Sequence, residues 1–156
     1  MAVQGMRNEL IRCYRQYVGE LRQVSEVDVL AGAGLSMAGL AVSIAGWTLY
    51  VYNETLTHGT AQFWTTRELS VGIAGLGVPV FMIGVIVLLL GNSRTTAFSL
   101  LGFVACLAAI VLFVTTYPDA WSVPGLDYSV AGVTLYGVGL LGLTFAAGAA
   151  FSCRVT

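Results

Sequence analysis

"LAGAGLSMAGLAVSIAGWTLYVY", residues 30–52, runs for twenty-three positions without a charged side chain, which is long enough to raise the question of a membrane. An α-helix rises ~1.5 Å per residue and a bilayer's hydrocarbon core is roughly 30 Å thick, so ~20 apolar residues cross it. This stretch can therefore span with some tilt. Three more uncharged segments follow it, Ser70–Leu90, Ala97–Tyr117 and Ser129–Ser152. None shows the alternation of about ten residues that marks a membrane β-strand. The expected fold is an all-α membrane protein, a four-helix transmembrane bundle.

Composition leads to the same class. With 57% hydrophobic and 10% charged residues, a chain of 156 residues folded in water would lack a polar surface. The first apolar run begins after twenty-nine mixed residues. It also exceeds the ~7–15 residue core of a cleavable signal peptide, so it reads as a retained span. The organisation is then a cytoplasmic arm at 1–29, a membrane domain at 30–152 and a short cytoplasmic tail at 153–156.

All seven cations are Arg, and their placement orients the chain. Arg7, Arg12, Arg15 and Arg22 precede the first span, Arg94 lies between the second and third, and Arg154 follows the fourth. Only Arg67 falls on the opposite side. Both termini are expected in the cytoplasm, with 53–69 and 118–128 outside a cell membrane.

The opening stretch uses small side chains where leucine would be easiest to place in lipid. Gly32, Ser36, Gly39, Ser43 and Gly46 alternate steps of four and three, which keeps them on one face along a left-handed crossing. The second span repeats the period with Ser70, Gly77, Gly84 and Gly91. The third has Gly102 and Ala109 flanked by Ser99 and Cys106, and the fourth has Gly132, Gly139 and Ala146. Lipid tails are as apolar as leucine, so membrane helices associate through close backbone packing, which small residues permit. The seams are expected to pack the bundle or a homo-oligomer.

What the spans lack narrows the function. Proton relays and ion pathways need ionisable groups inside the membrane, and these four segments have none. Their hydroxyls, among them Ser36, Ser43, Thr48, Ser99, Thr134, Tyr136 and Thr144, can be satisfied by backbone carbonyls of their own helix. Pro79 is expected to kink the second span, either for packing alone or as the mark of a discontinuous, substrate-binding helix. A small pore or transporter subunit is the alternative that this proline and the Gly-rich helices keep open.

The loops and cysteines show no catalytic, metal or cofactor site. His58 has no ligand partners at metal spacing, and Cys13, Cys106 and Cys153 are scattered. Gly137, Gly139 and Gly142 match a dinucleotide fingerprint by letter, but inside a membrane helix rather than between a strand and a helix. Asn53-Glu54-Thr55 has the form of a glycosylation acceptor, close to the membrane. Tyr117, Trp121, Asp119 and Asp127 form an acidic, aromatic outer surface whose rings read as interfacial anchors.

The arm is the most informative polar region. Leu10, Tyr14, Tyr17, Leu21 and Val24 share one face of a helix, with most charges elsewhere, so an amphipathic cytoplasmic helix is expected. It reads as lying on headgroups, docking a partner, or folded under the bundle. Arg7, Arg12, Tyr14, Arg15 and Tyr17 are the candidate partner-binding residues.

Four passages carry a family resemblance: "MRNELIRCYRQYVGE" (6–20), "FWTTRELSVGIAGLGVPVFMIGVIVLLL" (63–90), "FVTTYPDAW" (113–121) and "DYSVAGVTLYGVGL" (127–140). Together they resemble the N-terminal membrane domain of haloarchaeal cell division protein A. The resemblance implies a four-helix domain that anchors the division machinery at midcell, connecting FtsZ and SepF to the envelope. It fits the absence of active-site chemistry, and neither an enzyme nor a nucleic-acid partner is expected. Family members continue into a long cytoplasmic tail, whereas this sequence stops at "FSCRVT" (151–156), so it reads as a membrane domain alone or a short relative. Filament tethering through such a tail is the implied role that these residues carry least.

Overall fold

A computed structural model describes residues 26–89, 93–121 and 127–155. The expected amphipathic arm, with Arg7, Arg12, Tyr14, Arg15 and Tyr17, lies outside the described residues, as does Gly91. The described chain is four helices without a strand: α1 (Glu26–Asn53), α2 (Ala61–Leu89), α3 (Ser93–Thr116) and α4 (Ser129–Val155). Each is long and apolar enough to cross a membrane. Met37, Ile44, Phe98, Leu141 and Phe145 stand exposed on their outer faces, which water would penalise and lipid accepts. The chain is a multi-pass membrane protein.

α2 begins at Ala61, well before the expected span at Ser70, and therefore takes Arg67 and Glu68 into a helix. Hydropathy reports the part immersed in lipid, whereas a helix continues until its backbone donors are satisfied another way. Here Gly59 turns the chain at φ +83°, and Thr60 follows as the cap. The Thr60 hydroxyl accepts the Phe63 amide at 3.2 Å, satisfying one of the free donors of the first turn. The loop between α1 and α2 shrinks to residues 54–60. At the start of α4, Asp127 accepts the Ser129 amide at 2.9 Å and also its hydroxyl. Those two bonds, the hydroxyl's first, hold the Asp127 carboxyl below its ordinary value.

The bundle is built as two hairpins. α1 packs closely along α2, α3 along α4, and α2 makes the smaller contacts that join the pairs. In the first hairpin Gly39 faces Gly77 and Gly32 faces Gly84, one helix stepping up by seven residues as the other steps down. A Cβ at Gly39 would stand 2.7 Å from the Gly77 carbonyl oxygen, and one at Gly77 would stand 2.6 Å from that of Gly39. Only hydrogen fits, and Cα–H groups meet carbonyls directly across the helices, a contact worth about 0.5–1 kcal/mol each. Continuing the register sets Ser70 across from Gly46 and Phe63 across from Asn53, and all four are buried.

The second hairpin uses the same device once and then relaxes. Gly102 and Gly139 are reciprocal, each 2.7 Å from the other's carbonyl at the Cβ position. The register then sets Ala109 across from Gly132 and Thr95 across from Ala146, again all buried. Cys106 is fully buried beside Gly139, and its thiol donates to the Tyr136 carbonyl at 3.7 Å.

Candidate functional site

Pro79 sits inside α2, and the helix runs on through it to Leu89. A proline has no amide hydrogen, so the carbonyl four residues earlier loses its intrahelical donor. That carbonyl belongs to Gly75, and the Tyr136 hydroxyl of α4 donates to it at 2.6 Å. A carbonyl left without a donor in lipid is costly, and the phenol supplies what the proline withholds. The bond crosses between the hairpins.

Tyr136 was expected to be satisfied within its own helix, and the structure corrects that reading. A phenol holds its oxygen too far from its own backbone to turn back on it. Short hydroxyls do turn back: Thr48 donates to the Ile44 carbonyl at 2.8 Å, Ser99 to Thr96 at 2.8 Å and Thr144 to Leu140 at 2.9 Å. The Ser36 hydroxyl, pressed against Gly84, has no partner.

Above that bond a cleft of about 530 Å³ opens between the hairpins. Gly72 and Gly75 of α2 lie on one side, and Ala109, Ile110 and Phe113 of α3 with Val133 and Tyr136 of α4 on the other. Gly72 and Gly75 do not touch a facing backbone; the nearest atoms to a Cβ there are Val114 and Ile110 side chains at 3.7 Å. At these two glycines the helices have moved apart, and the space between them is the cleft.

Its outer end is aromatic and carries a cation. Phe63 meets Trp64 edge-on, as Trp64 meets Tyr117 and Phe113 meets Trp121, while the Phe113 and Tyr117 rings are tilted at 32°, with centroids 4.8–6.0 Å apart. Arg67 donates to the Tyr50 hydroxyl at 2.9 Å and lies over the Tyr50 ring at 5.2 Å. Its approach to Glu54, 3.9 Å, is too long for a hydrogen bond. Tyr117 and Trp121, expected as interfacial anchors, line this cleft half-buried.

Of the other expected residues, Gly32, Ser36, Gly39, Ser43, Gly46, Gly77 and Gly84 lie together at the α1–α2 contact, and Gly139 at the α3–α4 contact. Gly132 has a different neighbour: a Cβ there would stand 2.7 Å from the Trp121 indole. Asn53 is buried with both amide atoms unpartnered, so its side chain is inaccessible as a glycan acceptor in the folded chain. His58 is exposed, its ring edge-on to Phe63. Among the described residues no group of three His, Cys, Asp or Glu could hold a metal ion. The dinucleotide-like glycines lie mid-helix in α4. Arg67 and Tyr136 stand out in the sequence only as a lone cation and a hydroxyl, and their pairing with Tyr50 and Gly75 was not expected. One signal for it exists, since counting four back from Pro79 names Gly75 as a carbonyl that needs a donor.

A family model, cell division protein A, N-terminal domain, matches residues 8–155. The chain belongs to this family. The match takes in the four helices and, on the arm, Arg12, Tyr14, Arg15 and Tyr17, while Arg7 precedes it. The family is one of cell division proteins and not a known enzyme family. No curated protein and no solved structure matches the chain.

Proposed function

We propose that this chain is a non-catalytic integral membrane anchor or scaffold of a cell-division apparatus. The observation that carries this is the family match over residues 8–155. Supporting it, the stretch of α2 from Ser70 to Leu89 and all of α4 before Arg154 carry no charged side chain, which suits a passive span better than a conducting one. The helices hold the arm at the cytoplasmic face of the cell membrane, with both termini inside. Arg7, Arg12, Tyr14, Arg15 and Tyr17 then meet a cytoplasmic division protein, with SepF and FtsZ as first candidates, while other membrane subunits or a second copy meet the helices.

Deleting residues 1–24 from a fluorescently tagged chain tests this reading. Membrane insertion should persist while the midcell band and the pull-down of its cytoplasmic partner are lost. Uniform membrane labelling of the parent chain, or unchanged capture after the deletion, would count against it.

A further inference from the structure

We propose that the cleft between the hairpins binds one anionic membrane lipid, its phosphate on Arg67 and one hydrocarbon chain lying over Gly72 and Gly75. The inference rests on the membrane assignment of the helices and not on the division role, which stands or falls separately.

The walls decide what fills the deep part. At about 530 Å³ the cleft is in the range of small-molecule sites, ~300–1,000 Å³. Its deep end is apolar except for the Tyr136 hydroxyl, and that group already donates to Gly75. A water there would need about two to four polar partners, which the walls do not offer. The rim residues Val71 and Val133 are exposed, 38% and 65%, so the cleft opens sideways between the helices, where hydrocarbon surrounds a membrane protein. A lipid chain entering from the side fills it without dehydrating anything.

The outer end decides the headgroup. Arg67 is the cation at the cleft, and a guanidinium has five donors in a planar fork. Among the described residues it makes one hydrogen bond, to Tyr50, and its Glu54 contact is loose. The remaining donors match a phosphate, which accepts the fork in two parallel bonds. Arg67 stands eight residues before Gly75 on α2, ~12 Å along the helix, so a phosphate at the membrane surface and a chain descending to Tyr136 belong to one molecule.

Trp121 lines the cleft and reports occupancy, whereas Trp47 is 64% exposed on an outer face. In the full chain, Trp47→Phe with Trp64→Phe leaves Trp121 as the only indole, and Trp64→Phe with Trp121→Phe leaves Trp47. Each is reconstituted in phosphatidylcholine vesicles containing either chain-brominated phosphatidylglycerol or chain-brominated phosphatidylcholine, titrated over the same range of mole fraction. Bromine quenches indoles it touches. Trp121 should be half-quenched at about tenfold less of the anionic lipid, because the choline cation offsets the phosphate charge in phosphatidylcholine and nothing offsets it in phosphatidylglycerol, while Trp47 should not distinguish the two. Arg67→Gln should remove that preference and Arg67→Lys should keep part of it. Gly75→Leu, whose side chain would enter the cleft, should reduce the quenching of Trp121 by both lipids. Equal quenching of Trp121 by the two lipids, or a preference that survives Arg67→Gln, would overturn the proposal, as would full quenching in a folded Gly75→Leu chain.

Discussion

Tyr136 matters because of a hydrogen that another residue lacks. Pro79 removes the donor for the Gly75 carbonyl, and the Tyr136 hydroxyl replaces it from the neighbouring hairpin. Tyr136→Phe should therefore lower stability by about 1 kcal/mol, the scale of an interhelical hydrogen bond in a membrane. Pro79→Ala restores an amide at position 79, so in that background the same tyrosine change should cost clearly less. Detergent unfolding of the four chains in this cycle measures the coupling, and strictly additive effects would show that the carbonyl does not link them. The proline is visible in sequence, and so is the position four residues before it. That a phenol sixty-one residues away would face that carbonyl is not, because nothing local aims one helix at another.

At the scale of the element, the seven-residue spacing of small residues was legible in "LAGAGLSMAGLAVSIAGWTLYVY" without coordinates. Its depth was not. Gly39 and Gly77 approach so closely that a methyl group on either would meet the other's carbonyl, whereas Gly34 and Gly137 have open space around them. Gly39→Leu should accordingly force α1 from α2 and cost about 3 kcal/mol or more, the upper end of overpacking, since backbone cannot yield as a side chain can. Leu40→Ile, on an exposed position, and Val42→Leu, on a half-buried one, should stay within about 1 kcal/mol. Helical content and resistance to denaturing detergent would separate these outcomes, and equal tolerance at all three positions would mean that the seam contributes no packing. The helix ends were less legible than the seam. Arg67 and Glu68 end the hydropathic stretch, yet a charge ends only immersion in lipid; the helix itself stops at the cap made by Thr60.

For the whole molecule, the predicted orientation makes a simple test. In a chain freed of native cysteines, Thr57→Cys in the α1–α2 loop should react with a membrane-impermeant maleimide added to intact cells, and Thr156→Cys, past the fourth span, only after the membrane is opened. Reaction of both, or the reverse order, would invert or break the two-sided arrangement that six Arg against one imply. The same molecule is two close hairpins joined at Tyr136 and Gly75 and separated above them by an aromatic cleft with Arg67 at its mouth.

Length and period are properties of consecutive residues, so four membrane helices and the faces on which their small residues lie could be read along the chain. Family membership belongs with these, since it too is a pattern along the chain. Which seam meets which, and where the hairpins part, depend on register between residues far apart. Those needed the folded chain, because backbone contact and hydrogen bonding across helices are set by geometry in space rather than by order along the chain.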